Sequence, residues 1–217
     1  MREHFTRELN KVEEELVHMG RVVVQAIDWS IQALLERDQD LARQVMAGDE
    51  EINSLEKNIE SHCLNLILRE NPVASDLRLL SSVLRMITDL ERIGDQAADI
   101  AEISLSLEEE DFIVPIVKLP KMAKLAGLMV AQSLQSFASG DLVLADDVIL
   151  MDDQLDQLFL CLRDQLISLI YEDKTRGRQA LDLLMIGKYL ERIGDHGENL
   201  AEWVIYSITG KLVHRSS

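Results

Sequence analysis

Residues 90–102 read LERIGDQAADIAE, and residues 190–202 read LERIGDHGENLAE. Eight of the thirteen positions are identical, and both segments begin with the same hexapeptide, LERIGD. Each segment places apolar residues three and four positions apart, the spacing that puts side chains on one face of an α-helix. A match of this length, one hundred positions apart, indicates that a helical unit has been duplicated within the chain.

The repeat extends from these segments toward the beginning of each half. A shift of 103 positions superposes Met19 on Met122 and continues through the helix that precedes each LERIGD segment. Beyond the loop that contains Pro72 the shift becomes 100, so the second half lacks three loop residues there. An alignment of this extent predicts two units of the same fold, which we place at residues 1–110 and 118–217.

Each half contains three segments with helical periodicity. In the first half these segments cover residues 5–30, 41–66 and about 76–105, and a linker with Pro115 and Pro120 follows them. The composition is rich in Leu, Glu, Asp and Ala, which favours helix nearly everywhere. We therefore predict an all-α fold of two tandem three-helix bundles related by internal duplication. One continuous six-helix bundle is the alternative.

The composition also narrows the class of protein. The chain has 217 residues, of which 47% are hydrophobic and 28% charged, as is typical of a globular protein. A net charge of −17 argues against binding to nucleic acid or to a bare anionic membrane, and is compatible with cations or a basic protein partner. The first residues, MREHFTRELN, lack an apolar signal segment, and no apolar run is long enough to span a bilayer. We expect a soluble cytoplasmic protein that reaches membranes only by docking on a membrane complex.

The sequence contains none of the motifs that mark common enzyme active sites. We find no Ser/His/Asp arrangement, no glycine-rich phosphate loop and no HExxH, and we predict that the protein is not an enzyme. Cys63 and Cys161 occupy non-equivalent positions of the repeat and form no CxxC pair. We interpret both as buried free thiols in a reducing cytoplasm.

Acidic residues form a second pattern on the duplicated helices. At about 100° per residue, the third helix of each half carries a polar stripe beside its apolar face. In the first half the stripe consists of Glu91, Asp95, Asp99 and Glu102. In the second half it consists of Glu191, Asp195, Asn199 and Glu202, with His196 beside it. The middle helices add pairs four residues apart, Asp49 with Asn53 and Asp152 with Asp156.

The recurrence of these stripes on two helices of both halves favours a cation site between the helices. Like charges one turn apart repel by a few tenths of a kcal/mol, so a stripe kept for solubility alone would interleave Lys and Arg. Oxygen ligands suit Mg, Ca, Mn or oxidised Fe, and His196 would add a nitrogen ligand that favours Zn or Fe. An ordinary solvated helix face is the alternative.

The LERIGD segments contain two further features. Gly94 and Gly194 lie inside helices, where each glycine costs ~1 kcal/mol relative to alanine. We predict that another helix approaches the backbone closely at both positions. Arg92 and Arg192 lie about 100° of helix away from the acidic stripe, and we expect each to form a salt bridge with a neighbouring helix. A contact with a partner or an anion is the alternative.

Two other function classes are weaker alternatives. Glu15 and His18 have the Glu-x-x-His spacing of carboxylate-bridged di-metal bundles such as ferritin-like proteins. The equivalent residues of the second half are Lys118 and Lys121, so the second motif is missing. The other alternative is a purely structural helical adaptor whose acidic stripes contact a basic partner.

Together these motifs resemble the PhoU family. The resemblance rests on the duplicated LERIGD, on the paired acidic residues of the preceding helix, and on the segment YLERIGDHGENLAE at residues 189–202. It implies symmetric three-helix bundles, usually dimeric, that act in the cytoplasm as negative regulators of phosphate uptake and of the phosphate-starvation response. It also implies two partners, the ATPase of a phosphate ABC transporter and a sensor histidine kinase.

Some members of that family hold multinuclear iron or zinc clusters on E/D-x-x-x-D motifs, and Mg or Mn are alternatives. The resemblance transfers this role in the first half to Asp49, Glu91 and Asp95. In the second half it transfers it to Asp152, Asp156, Glu191, Asp195, His196 and Asn199. The first half departs from the family pattern, because Asn53 replaces an acid, Gln96 a histidine and Asp99 an asparagine. If one cluster forms, we expect it in the second half.

Overall fold

The structure, a computed structural model, describes residues 2–107 and 118–212 of the chain. These ranges contain six long helices and no β-strand, so the all-α prediction is confirmed. The helices are α1 (Arg2–Glu36), α2 (Gln39–Glu70), α3 (Ala74–Ser106), α4 (Leu119–Ser139), α5 (Leu142–Glu172) and α6 (Gly177–Thr209). The predicted boundary at residue 110 and the linker residue Pro115 lie outside the described residues.

Short polar turns set the ends of the helices. The carboxylate of Asp38 accepts a hydrogen bond from the backbone N–H of Leu41 at 2.9 Å and caps α2, and the equivalent Asp141 caps α5 in the same way. Asn71 adopts a left-handed conformation with φ of 47° and ends α2. Pro120, which we predicted in the linker, lies in the first turn of α4, where its missing N–H leaves no helical hydrogen bond unmade.

Buried residues from all six helices form one large hydrophobic core, and a small second cluster consists of Ala33, Ala42, Val45 and Ala101. On α3 the apolar residues that recur at helical spacing are buried, namely Val83, Ile87, Leu90, Ala97, Ile100 and Ala101. α3 packs against α6, and α1 packs against α4, so these two contacts join the halves. The side chain of Arg78, near the start of α3, lies against Gly210 after the end of α6, so α3 and α6 run antiparallel. The prediction of two tandem three-helix bundles is confirmed, and the bundles share one core.

Within the described residues, no helix is both long and apolar enough to cross a membrane.

The two cysteines have different environments. Cys63 is a buried free thiol, as predicted, and burial together with the nearby Glu15 raises its pKa to about 12. Cys161 is free but exposed, so the prediction that it is buried was wrong. Cys161 directly precedes the buried Leu162 on α5, so its side chain is rotated by about 100° around the helix axis, away from the core. The ammonium of Lys118 donates a hydrogen bond to its Sγ at 2.7 Å.

The duplicated glycines mark close helix contacts, as predicted. A Cβ atom at Gly94 would lie 2.8 Å from Cδ1 of Ile52, a buried residue of α2. A Cβ atom at Gly194 would collide with Leu155 of α5 and would lie 3.3 Å from Oδ1 of Asp152. The missing side chains therefore let α2 approach α3, and α5 approach α6.

We expect Gly94→Leu to destabilise the fold by about 3 kcal/mol, because the added side chain has to displace Ile52 from a packed core. Gly48→Leu is the matched control, since Gly48 also lies inside α2 but a Cβ there meets no described atom within 4 Å. That control is expected to be neutral or up to ~0.8 kcal/mol stabilising, from helix propensity alone. Urea unfolding at low protein concentration measures both variants. Equal stabilities would contradict the close-contact interpretation of Gly94.

Candidate metal centre

Three carboxylates meet between α5 and α6. Asp152 and Asp156 lie one turn apart on α5 and face Asp195 on α6. Each residue offers one oxygen, and the three oxygens lie within 4.8 Å of one another. Oxygens bound at about 2.3 Å to one cation can be up to about 4.6 Å apart, so small side-chain rotations would let all three contact a single ion.

The position of Asp152 favours a cation at this centre. Its Oδ1 atom is buried and has no hydrogen-bond partner among the described residues. Burial, followed by the negative charges of Glu198, Asp195, Asp156 and Glu191, raises the pKa of Asp152 to about 7. A bound cation would neutralise these charges and satisfy the buried oxygen, so the donor set fits a hard metal ion.

Asp195 completes the centre from α6. Burial raises the pKa of Asp195, and the charge of Glu191 raises it further, whereas the ammonium of Lys188 opposes the shift. Lys188 forms an ion pair with Glu191 and also lies over the ring of Phe159, 5.6 Å from its centroid. The side chain of Glu191 is therefore held by Lys188 beside the three-oxygen group, where it contributes charge.

His196 and Asn199 contact the other half of the molecule. Nδ1 of His196 lies 2.8 Å from a carboxylate oxygen of Asp89 on α3, and the amide of Asn199 donates to the same oxygen at 3.4 Å. The shift of 100 positions relates Asp89 to Tyr189 and Asn199 to Asp99, and the hydroxyl of Tyr189 is hydrogen-bonded to Asp99 across the same α3–α6 contact. The structure thus places His196 and Asn199 at the junction between the two bundles, outside the group formed by the three aspartates.

The first-half residues form a different arrangement. The amide of Asn53 donates to Oδ2 of Asp49 at 2.9 Å, while Oδ1 of Asp49 is buried without a hydrogen-bond partner among the described residues. Burial and the charge of Asp95 raise the pKa of Asp49, and the hydrogen bond from Asn53 opposes that shift. Burial and Asp95 likewise raise the pKa of Glu91.

Arg92 lies beside these first-half carboxylates. Its guanidinium lies 3.5 Å from Glu91 and 3.8 Å from Asp95. Both partners belong to α3 itself, so the prediction that Arg92 pairs with a neighbouring helix was wrong. The long side chain curls back along its own helix, since residues one and three positions away are within its reach. The first-half group therefore carries an amide and a guanidinium where the second-half centre has only carboxylates at its core.

Comparison with known proteins gives the family. A family model described as the PhoU domain matches residues 16–104 and, a second time, residues 119–204. The chain belongs to the PhoU family. The two matches correspond to the two three-helix bundles, and the resemblance inferred from LERIGD is confirmed.

Relatives within the PhoU family cover nearly the whole chain. A "Phosphate-specific transport system accessory protein PhoU homolog" of Pseudomonas aeruginosa is 35% identical over 96% of this chain and 86% of its own length. The protein with the same description in Aquifex aeolicus is 37% identical over 95% of this chain and 94% of its own length.

Solved PhoU structures have the same fold. The crystal structure of PhoU from Pseudomonas aeruginosa superposes with a TM-score of 0.92 at 35% identity, covering 95% of this chain and all of that one. The phosphate transport system regulatory protein PhoU from Streptococcus pneumoniae superposes with a TM-score of 0.91 at 30% identity, covering 97% and 100% of the two chains.

Sequence reasoning missed three residues of this PhoU-family site. Glu198 adds negative charge beside Asp152, and its position seven residues after Glu191 was a usable signal. Glu198 was overlooked because the comparison of the two repeats selected acidic residues present in both, and the first-half counterpart of Glu198 is Ala98.

Asp89 was also missed, because its partners His196 and Asn199 lie on another helix and meet it only when α3 packs against α6. Lys188 was missed although its spacing of three residues from Glu191 on the same helix was a usable signal.

The Glu15–His18 spacing does not produce a shared site. Glu15 lies 2.9 Å from Nδ1 of His62 on α2, and Glu8 lies 3.4 Å from the other ring nitrogen. His18 is exposed and lines a groove between α1 and α2. The structure therefore assigns Glu15 to a helix–helix contact and gives no support to a ferritin-like ligand pair.

Proposed function

We propose that this protein is an accessory regulator of a phosphate-specific transport system, acting in the cytoplasm as a negative regulator of phosphate uptake and of the phosphate-starvation response. The relatives described as accessory proteins of such systems align with almost the entire chain, which supports a shared role. The role we propose is one of binding and regulation rather than catalysis.

We propose further that the three-aspartate centre holds metal. The buried, unpartnered Oδ1 of Asp152 carries this proposal, because a buried carboxylate oxygen without a donor is costly unless a cation occupies the site. Asp152, Asp156 and Asp195 would hold the ion, and Glu191 and Glu198 would add charge that suits a multinuclear iron or zinc cluster. A single Mg or Mn ion is the alternative for the same oxygen donors.

Metal binding would change the surface that the second bundle offers to partners. Without metal, Asp152 is partly protonated near neutral pH, and the surrounding carboxylates repel one another. With metal, the same surface is neutralised and α5 is tied to α6. We propose that this surface contacts the ATPase of the phosphate ABC transporter and a sensor histidine kinase, and that the protein acts as a homodimer.

A deletion strain tests the regulatory proposal. Loss of the gene is expected to raise phosphate uptake and starvation-gene expression in phosphate-rich medium, and the wild-type gene is expected to reverse both effects. The variant Asp156→Ala/Asp195→Ala should fail to reverse them. Asp146→Ala/Asp147→Ala is the matched control, because these α5 acids are exposed and lie outside the centre. Unchanged uptake and expression in the deletion strain would refute the proposed function.

A further inference from the structure

One row of residues on α6 faces α5. A Cβ atom at Gly187 would collide with Leu162, and a Cβ atom at Gly194 would collide with Leu155. The contact residue moves back along α5 as the glycine moves forward along α6, so the two helices are antiparallel. The spacing of the two glycines is nearly two helical turns, so both lie on the same row. Glu198, one turn after Gly194, continues this row toward the end of α6.

The antiparallel packing puts Glu198 at the level of Asp152. Counting from the contact of Gly194 with Leu155, one turn forward on α6 leads to Glu198, and one turn back on α5 leads to the residue before Asp152. Oδ1 of Asp152 lies 3.3 Å from the position of a Cβ atom at Gly194. After burial, the charge of Glu198 is the strongest cause of the raised pKa of Asp152, ahead of the other two aspartates of the centre. Glu198 therefore lies beside the buried end of the centre.

The three aspartates leave room for a further ligand. A hard cation takes about six oxygen ligands, and the three-aspartate group offers one oxygen from each residue. Glu191, one turn before Gly194 on the same row, is paired with Lys188. Glu198 lies on the opposite side of Gly194 and outside the group whose oxygens are within 4.8 Å of one another. Its side chain is longer than that of an aspartate, so a rotation can bring its carboxylate to an ion held by the group.

The two repeats differ at this position. The shift of 100 positions relates Glu198 to Ala98, and the shift of 103 relates Asp156 to Asn53. The side chain of Ala98 has no ligand atom, so the first-half group lacks a counterpart of Glu198. Both residues lie in the third helix of bundles with the same fold, so alanine is compatible with helix packing at this point. The additional carboxylate is thus a feature of the second half that packing does not require.

We propose that Glu198 is a fourth carboxylate ligand of the second-half centre and closes it on the side of Asp152. This inference rests on the metal site proposed above and adds a residue to it. A fourth anionic oxygen strengthens the binding of a divalent cation, because each carboxylate adds an attraction that water screens only partly in a half-buried site. The second half would then bind metal more tightly than the first.

Titration calorimetry of the metal-free protein with Mn²⁺ tests this ligand. Glu198→Gln removes the charge at nearly constant size, and Glu198→Ala introduces the residue that the first repeat has at this point. Both variants are expected to bind Mn²⁺ at least about tenfold more weakly than wild type, since the loss of a residue that merely supports a ligand already costs that much. Circular dichroism checks that both variants are folded.

A matched control separates a ligand from a nearby charge. Asp153→Asn removes one charge from the exposed neighbour of Asp152, and it should weaken Mn²⁺ binding by less than about threefold because salt screens an exposed charge. The electron paramagnetic resonance spectrum of bound Mn²⁺ should change in Glu198→Gln, which alters the ligands of the ion, and should stay the same in Asp153→Asn.

The outcomes distinguish this ligand from the centre itself. Glu198 variants that bind Mn²⁺ as tightly as Asp153→Asn overturn the proposal and leave the three-aspartate centre standing. Weaker binding with an unchanged spectrum shows that Glu198 acts through its charge alone, which also overturns it. A wild type that binds no Mn²⁺ overturns both the ligand and the centre as a site for this ion. None of these results bears on phosphate uptake in the deletion strain.

Discussion

Replacing Asp156 and Asp195 together by alanine is expected to remove bound metal from the purified protein. Two of the three carboxylates that approach within 4.8 Å of one another are then gone, and Asp152 alone is a weak ligand. We expect metal affinity to fall by more than about a hundredfold, since the loss of even a residue that merely supports a ligand costs about 10–100-fold. Elemental analysis of metal per chain, after purification without an affinity tag, measures the effect.

Two controls make the metal measurement decisive. Asp146→Ala/Asp147→Ala removes two exposed charges from the same helix and should leave the metal content unchanged. Asp49→Ala/Asp95→Ala disrupts the first-half group and should spare metal held in the second half. If wild type and Asp156→Ala/Asp195→Ala hold the same amount of metal, the centre is not where we place it. Metal-free wild type that still regulates phosphate uptake would make the acidic stripes a surface for a protein partner.

Substituting Asp152 by asparagine is expected to remove a pH-dependent loss of stability from the metal-free protein. The folded pKa of about 7 lies above the usual value of 3.8, so folding favours the protonated carboxyl. This contribution to stability is fully present below the usual value and is lost as the pH rises through the folded pKa. Above neutral pH the wild type therefore has to fold with an unfavourable buried charge that Asp152→Asn lacks.

The size of this effect follows from the shift. Allowing for solvent screening of a half-buried group, we expect Asp152→Asn to be more stable than wild type by on the order of 2 kcal/mol at pH 8 and equally stable near pH 4. Urea unfolding in the presence of a chelator measures both proteins across this range. The exposed neighbour Asp153 gives the control, Asp153→Asn, which should follow the wild type. Parallel stability curves for Asp152→Asn and wild type would contradict the proposed burial of this charge.

Bound metal should reverse the sign of the pH dependence of the protein's stability. A cation binds the deprotonated carboxylate, so binding releases the proton that Asp152 holds near neutral pH, and affinity should rise as the pH passes through about 7. The same residue thus couples metal occupancy to the stability of the α5–α6 pair.

Sequence by itself determined the local features of this protein. Helical periodicity and the LERIGD duplication predicted six helices in two bundles, and Val83, Leu90 and Ile100 are buried as that pattern requires. The close contacts at Gly94 and Gly194 were also predicted, because a glycine inside a helix costs stability and the duplication keeps one at the same point of both third helices. Such features depend on the angular position of a residue on its own helix, which the sequence specifies directly.

The tertiary structure alone decided which side chains meet. The contact of His196 with Asp89 joins residues 107 positions apart, and the ion pair of Arg92 with its own helix replaced an expected contact between helices. Which residues face each other depends on how helices rotate and cross when they pack, and periodicity leaves both free. For the same reason the sequence placed Asp152 on an acidic stripe, while only the packing of α5 against α6 showed that one of its oxygens is buried without a partner.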